Sequence, residues 1–152
     1  MSKHISSAFN EDLQTISIKI SEMGGISEEM LKNSLKALYE SNIDLANSVI
    51  ISDQKIDNLE KDIEELVIKT IALRNPVADD LRQVFSAIKI SAALERIGDY
   101  SKNIAKRTLI ISNEHISKLR QPILDLGTRV YEQLHKALNS FEEKNHLLAK
   151  EI

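Results

Sequence analysis

Six carboxylates in two stretches of this sequence are spaced for shared chemistry. "SDQKIDNLEKDIEE", from Ser52, carries Asp53, Asp57, Glu60 and Glu64 at successive helical steps. "ALERIGDYSKNIAKR", from Ala93, places Glu95 and Asp99 one turn apart with Gly98 beside the second acid. Acids at i and i+4 share a helix face and repel by roughly 0.2–0.5 kcal/mol per pair when nothing neutralises them. A glycine in a helix interior costs a further ~1 kcal/mol against alanine. Oxygen-only donor sets of this kind suit hard or borderline cations such as Mg²⁺, Mn²⁺ or iron, and bridging carboxylates suit more than one ion.

The positions of the acids about Pro76 sharpen this reading. Asp57 and Glu95 each stand 19 residues from Pro76, and Asp53 and Asp99 each stand 23. If the chain folds back there with equal rise on both sides, the two pairs arrive at the same height on neighbouring antiparallel helices. Glu60 and Glu64 then fall opposite Ala92 and Ile88. The expectation is a cluster of four carboxylates, with no lysine among them, where Gly98 lets a neighbour approach. A plainer arrangement stands beside it, since an acid column is usually a solvated face: Asp57 pairs with Lys61 and Asp99 with Lys102 along their own helices, as surface acids of little energetic weight.

The elements that must hold these acids are helices. Only four glycines and two prolines occur in 152 residues, 42% of which are hydrophobic, 4% aromatic and 28% charged. That favours an all-helical chain with an aliphatic core. Phe9, Leu13, Ile16, Ile20, Met23, Met30 and Ala37, with serines at 27 and 34, form one stripe. Val49, Ile56, Leu59, Ile63, Leu66 and Leu73 form a second, and Ile90, Leu94, Ile97, Ile104 and Ile111 a third. "ESNID" marks the first turn. "RNPVADD" marks the second, with Asn75 expected as N-cap, Pro76 at the first helical position and Asp79 in the opening turn. After a polar break, a fourth helix is expected from about Ile123 to Glu142. Long helices and short turns predict an antiparallel three-helix bundle followed by a fourth long helix.

An internal repeat appears at an offset of 103 residues: Gly24 matches Gly127, Leu35 matches Leu138 and Asn42 matches Asn145. The fourth helix therefore reads as the first helix of a second unit. The expected organisation is a three-helix repeat over 5–112 and an incomplete second repeat over 117–152. The fourth helix carries Ile123, Leu126, Val130, Leu134, Ala137, Leu138 and Phe141. An uncovered face of this kind favours association, so a homodimer with this helix paired between protomers is expected.

"ALERIGDYSKNIAKR", "RNPVADDLRQVFSAIKI", "SDQKIDNLEKDIEE" and "HISSAFNEDLQTISIKISEMGG" together resemble the PhoU family of phosphate-transport accessory proteins. The resemblance implies spectrin-repeat-like bundles whose E/D-x-x-x-D motifs bind metal clusters of iron, manganese or magnesium. Those motifs fall on Asp53–Asp57 and Glu95–Asp99, with Asn103 of the following "NIA" in a supporting position. It further implies a non-catalytic cytoplasmic regulator of phosphate uptake and homeostasis. Such a protein acts as adaptor between the ATPase subunit of a phosphate ABC transporter and a phosphate-sensing histidine kinase. It represses the phosphate-starvation response and meets the membrane only through its partners.

Two rival functions differ in kind. "EQLH", Glu132 to His135, is one Glu-x-x-His of the sort that di-iron carboxylate enzymes use in pairs. A plain structural helical bundle is the other, in which the acids do nothing. A net charge of −3 provides no global field for nucleic acid. No cysteine is present for disulfide or thiolate chemistry. No apolar run approaches the ~20 residues of a membrane span.

Overall fold

The computed structural model describes residues 2–111 and 118–152, and every regular element among them is a helix. The order is α1 (Ser2–Glu40), α2 (Ile43–Arg74), α3 (Ala78–Ile110), α4 (Arg120–Glu142) and the single turn α5 (His146–Ala149). The first three form the antiparallel bundle, each packed on the other two, and α4 lies against α1. The expected unit boundary at 112–117, with His115 in it, lies outside the described residues.

Ile16, Ile20, Met23 and Met30 of α1, Val49, Ile56, Ile63 and Val67 of α2, and Val84 and Leu94 of α3 make the buried core. The α3 stripe differs from expectation. Its buried line is Val84, Ala87, Ser91, Leu94, Gly98, Ser101, Ala105 and Thr108, while Ile90, Ile97 and Ile104 flank it half-buried. Small residues occupy the centre because α3 is wedged between two helices and must approach both closely. Its buried hydroxyls return to their own helix: Ser91 donates to the Ile88 carbonyl (3.0 Å) and Ser101 to that of Ile97 (2.8 Å), satisfying groups that would be costly to bury unpaired. Leu73, placed in the second stripe, is exposed.

The turn at Pro76 also departs from its reading. Asn75 is the left-handed C-cap of α2 (φ 47), its N–H donating to the Ile71 carbonyl, and it is not the N-cap of α3. Val77 holds that position in extended conformation with no side-chain cap. Asparagine tolerates the left-handed region, which suits it to ending a helix.

The repeat reappears as geometry. Ser41 and Lys144 both have positive φ. The next residue in each case is an N-cap: Asn42 accepts from Leu45 N, and Asn145 from Leu147 N and Leu148 N. More tellingly, Gly24 of α1 faces Leu138 of α4, and Gly127 of α4 faces Leu35 of α1. Each glycine admits the leucine that matches, 103 residues away, the one its own counterpart admits. The helices thus cross antiparallel about a local two-fold. Leu134, Leu138, Tyr131 and Phe141 join the core there, whereas Leu126 and Val130 remain exposed. α4 therefore covers part of its apolar stripe against α1, with Gly127 and Leu134 buried, and leaves the rest at the surface.

Glycine substitutions read this packing directly. A Cβ on Gly127 would overlap both Cδ atoms of Leu35 and touch its Cγ at 3.0 Å, while a Cβ on Gly25 meets nothing within 4 Å. Gly127→Ala is expected to destabilise by about 1–2 kcal/mol, the overpacking cost less the helix-propensity gain. Gly25→Ala should stabilise by up to ~1 kcal/mol. Urea denaturation of the two variants checks both signs.

Candidate metal centre

The acids gather along the α2–α3 seam, and a lysine stands among them. Lys102 donates to Asp53 across the seam and lies 3.7 Å from Asp99 along its own helix. The Asp53 side chain is only 7% exposed, against 51% for Asp99. The expectation of a lysine-free cluster is thus corrected: the Lys102 ammonium is the internal countercharge. Its pKa is raised, first by the hydrogen bond to Asp53 and then, against the cost of burial, by the charges of Asp53, Asp99 and Asp57.

Register explains a second correction. A Cβ on Gly98 would lie 2.8 Å from Ile56 Cδ1, so the helices mesh where this isoleucine fills the glycine gap. Ile56 is 20 residues before Pro76 and Gly98 is 22 after it; Asp53 and Lys102, which also meet, are 23 before and 26 after. Side-chain meshing, not the midpoint of the turn, sets the register, and α3 runs about 3–5 Å ahead. Glu60, 16 residues before Pro76, is thereby brought level with Glu95.

The charges report the same arrangement. The Glu95 carboxyl is held above its ordinary value by partial burial and then by the negative charges of Asp99, Glu60, Asp57 and Asp53, in that order. Glu60 is raised likewise by burial, Glu64 and Asp57, with Lys61 opposing. Five acids therefore share one side of the seam, with Lys102 paired to Asp53 and Asp99 at one end of the group. Glu60 is the member that turn arithmetic left out, and Gly98, the gap that Ile56 fills, was the sequence signal for the register that brings it in. Asn103 is exposed one turn beyond Asp99.

All the donors are carboxylate oxygens in excess over one ammonium, a composition that fits hard cations. As the side chains stand, no three Asp, Glu or His residues among the described ones are grouped closely enough to hold one ion. Any cation in the seam would take over the neutralisation that Lys102 supplies.

The Glu-x-x-His segment serves another purpose. His135 Nδ1 lies 2.6 Å from Glu28 Oε1 on α1, and its Nε2 lies 3.2 Å from Asn139 Nδ2. The ring stacks with Tyr131 at 6.2 Å. A hydrogen bond to Glu28 raises the Tyr131 pKa. These groups close the α1–α4 seam.

The PhoU domain model matches residues 20–108. A phosphate-specific transport system accessory protein PhoU homolog of Rhizobium meliloti (strain 1021) is 40% identical over 150 residues, covering 98% of this chain and 63% of that protein. The protein of that name from Escherichia coli (strain K12) is 37% identical over 145 residues, covering 93% of this chain and 58% of its own length. A crystal structure of PhoU from Pseudomonas aeruginosa superposes with a TM-score of 0.89 at 30% identity, over 94% of this chain and 69% of that one. The chain thus spans about 60% of the length of the curated relatives it matches. They are named accessory proteins, not enzymes.

The raised Glu95 pKa carries a pH dependence. An acid whose folded pKa lies above its unfolded value binds its proton more tightly when folded. Its contribution favours folding at low pH and is lost as pH rises through the folded pKa. Glu95→Gln is therefore expected to stabilise the metal-free protein at pH 8, by about 0.5 kcal/mol from the relieved i,i+4 repulsion. The advantage should vanish below pH ~4, where the glutamate is protonated in both states. Chemical denaturation at the two pH values measures it.

Proposed function

The chain belongs to the PhoU family, and on that premise we propose that it is a metal-binding accessory protein regulating phosphate transport. One observation carries the reading: likeness over 98% of the chain to a protein named for the phosphate-specific transport system. Its proposed place is cytoplasmic, as adaptor between the ATPase subunit of a phosphate ABC transporter and a phosphate-sensing histidine kinase. It holds the kinase in its inhibited state when phosphate is plentiful, which makes it a negative regulator of the starvation response. A homodimer through the remaining exposed face of α4, with Leu126 and Val130 at its centre, belongs to the same proposal.

Asp53, Asp57, Glu95 and Asp99 are the proposed metal ligands, with Glu60 beside them and Asn103 in support. What supports this is the excess of negative charge on the seam, felt at Glu95 as a raised pKa. Iron, manganese or magnesium would supply fixed positive charge that ties α2 to α3. The Lys102 bridge favours a second, purely structural reading, in which one ammonium completes the balance and no ion is needed.

Replacing the lysine separates the two. Lys102→Met should destabilise the metal-free protein by about 1–3 kcal/mol, since it strips a buried carboxylate of its charged partner. On the metal reading, Mn²⁺ or Mg²⁺ restores that loss and the variant takes up the ion more tightly than wild type. Glu95→Ala/Asp99→Ala then takes up less. Isothermal titration with metal-free protein measures uptake, and equal, negligible uptake by all three proteins would sink the metal reading. The regulatory reading is checked in a bacterium lacking its own PhoU, where this chain should restore repression of a starvation gene in phosphate-rich medium.

A further inference from the structure

One helix face is untouched by everything above. Opposite its small-residue line, α3 turns Arg82, Lys89, Arg96 and Arg107 to solvent. The first three are spaced seven residues apart and the fourth eleven further on, so they follow one ridge. The ridge runs about 37 Å at helical rise. Phe85 and Tyr100 stand between the cations, 51% and 61% exposed, and Lys89 Nζ lies 5.5 Å from the Phe85 ring centre. Arg82 pairs with Asp79, both largely exposed, a pair of little energetic weight. Among the described residues Lys89, Arg96 and Arg107 have no ion-pair partner.

The separation of charge around α3 is nearly complete. Beyond Asp80 its acids are Glu95 and Asp99, and both share the α2 seam with Asp53 and Lys102. The opposite flank, toward α1, is a shallow groove lined by Asn10, Gln14, Gln83, Ser86, Lys144 and His146 over an apolar floor, with no acid in its lining. A plane laid on the ridge and tilted toward α1 therefore meets, beyond the Asp79–Arg82 pair at its N-terminal end, the ridge cations and the acid-free rim of that groove.

We infer that this ridge of α3 docks on an anionic phospholipid bilayer. The ridge is straight and convex, and its long cationic side chains stand free of any pocket. A specific protein interface concentrates its energy in anchors seated in pockets, and among the described residues the ridge cations line neither the groove beside α1 nor the one between α1 and α2. A bilayer asks only for cations that reach the headgroup layer and for rings that enter the interface. Tyr100 and Phe85 supply those rings, and Leu81 and Ile110, 40% and 76% exposed, extend the apolar contact at the ends. The inference stands independently of the phosphate-transport reading and of metal in the α2–α3 seam.

Co-sedimentation of the full chain with vesicles tests it. The protein should pellet with phosphatidylcholine vesicles containing about one-third phosphatidylglycerol, not with phosphatidylcholine alone, and should be released near 1 M salt, where screening is nearly complete. The fourfold variant Arg82→Gln/Lys89→Gln/Arg96→Gln/Arg107→Gln should partition at least tenfold less. The variant Lys36→Gln/Lys55→Gln/Lys69→Gln/Lys136→Gln has the same net charge, with its changes scattered over exposed positions of other helices, and should bind as wild type does. Arg96→Glu alone should weaken binding several-fold, which keeps the test open if the fourfold variant misfolds. Failure of wild type to pellet with anionic vesicles overturns the inference, as does an equal loss in both fourfold variants. Tighter binding to soluble poly-glutamate than to vesicles would assign the ridge to an acidic protein surface and overturn it as well.

Discussion

Ile56 seated against Gly98 is the contact on which the arrangement of α2 and α3 depends. Two long helices with continuous apolar stripes can slide by a turn at modest cost in buried area, because aliphatic contact is non-directional. A missing Cβ opposite a branched side chain removes that freedom by offering one position where the backbones close up. The register chosen there advances α3, brings Glu60 level with Glu95 and carries Lys102 to Asp53. The helix-propensity cost of Gly98 is thus tied to the geometry of the acid seam beside it.

The same device is used twice more between α1 and α4. Gly24 receives Leu138 and Gly127 receives Leu35, so a repeat along the chain becomes a two-fold contact within it. Reciprocal contacts of this sort define isologous interfaces between subunits; here both halves are on one polypeptide. The Glu28–His135–Tyr131 group lies along this seam and ties the helices with polar contacts where the apolar face runs out.

Electrostatics divides the bundle by face. The buried side of α3 is small and apolar with its hydroxyls satisfied, one flank shares the acids of α2, and the outer ridge is cationic. Net charge alone conceals this, since the opposing faces nearly cancel. Acids crowded on the seam raise the Glu95 pKa, and the single ammonium of Lys102 offsets them only in part.

The fold was legible from periodicity because 3.6-residue stripes, scarce glycine and two strong turn signals leave few alternatives to an antiparallel helical bundle. The E/D-x-x-x-D spacing likewise made Asp53 a neighbour of Asp57 and Glu95 of Asp99, since i and i+4 share a face whatever the tertiary context. Tertiary structure decided what depends on meshing across helices. Equal spacing about Pro76 presumes a turn of zero width, whereas Asn75 ends α2 in a left-handed cap and α3 starts only at Ala78. That difference, with the Ile56–Gly98 contact, added Glu60 and Lys102 to the seam. The isoleucines of α3 stand out by hydrophobicity, yet they flank its buried line, where Val84 and Leu94 are accompanied mainly by small residues. And α4, apolar enough to suggest a partner chain, settled on α1 because two glycines a repeat apart left gaps of leucine size, a match of shapes that no single stripe reveals.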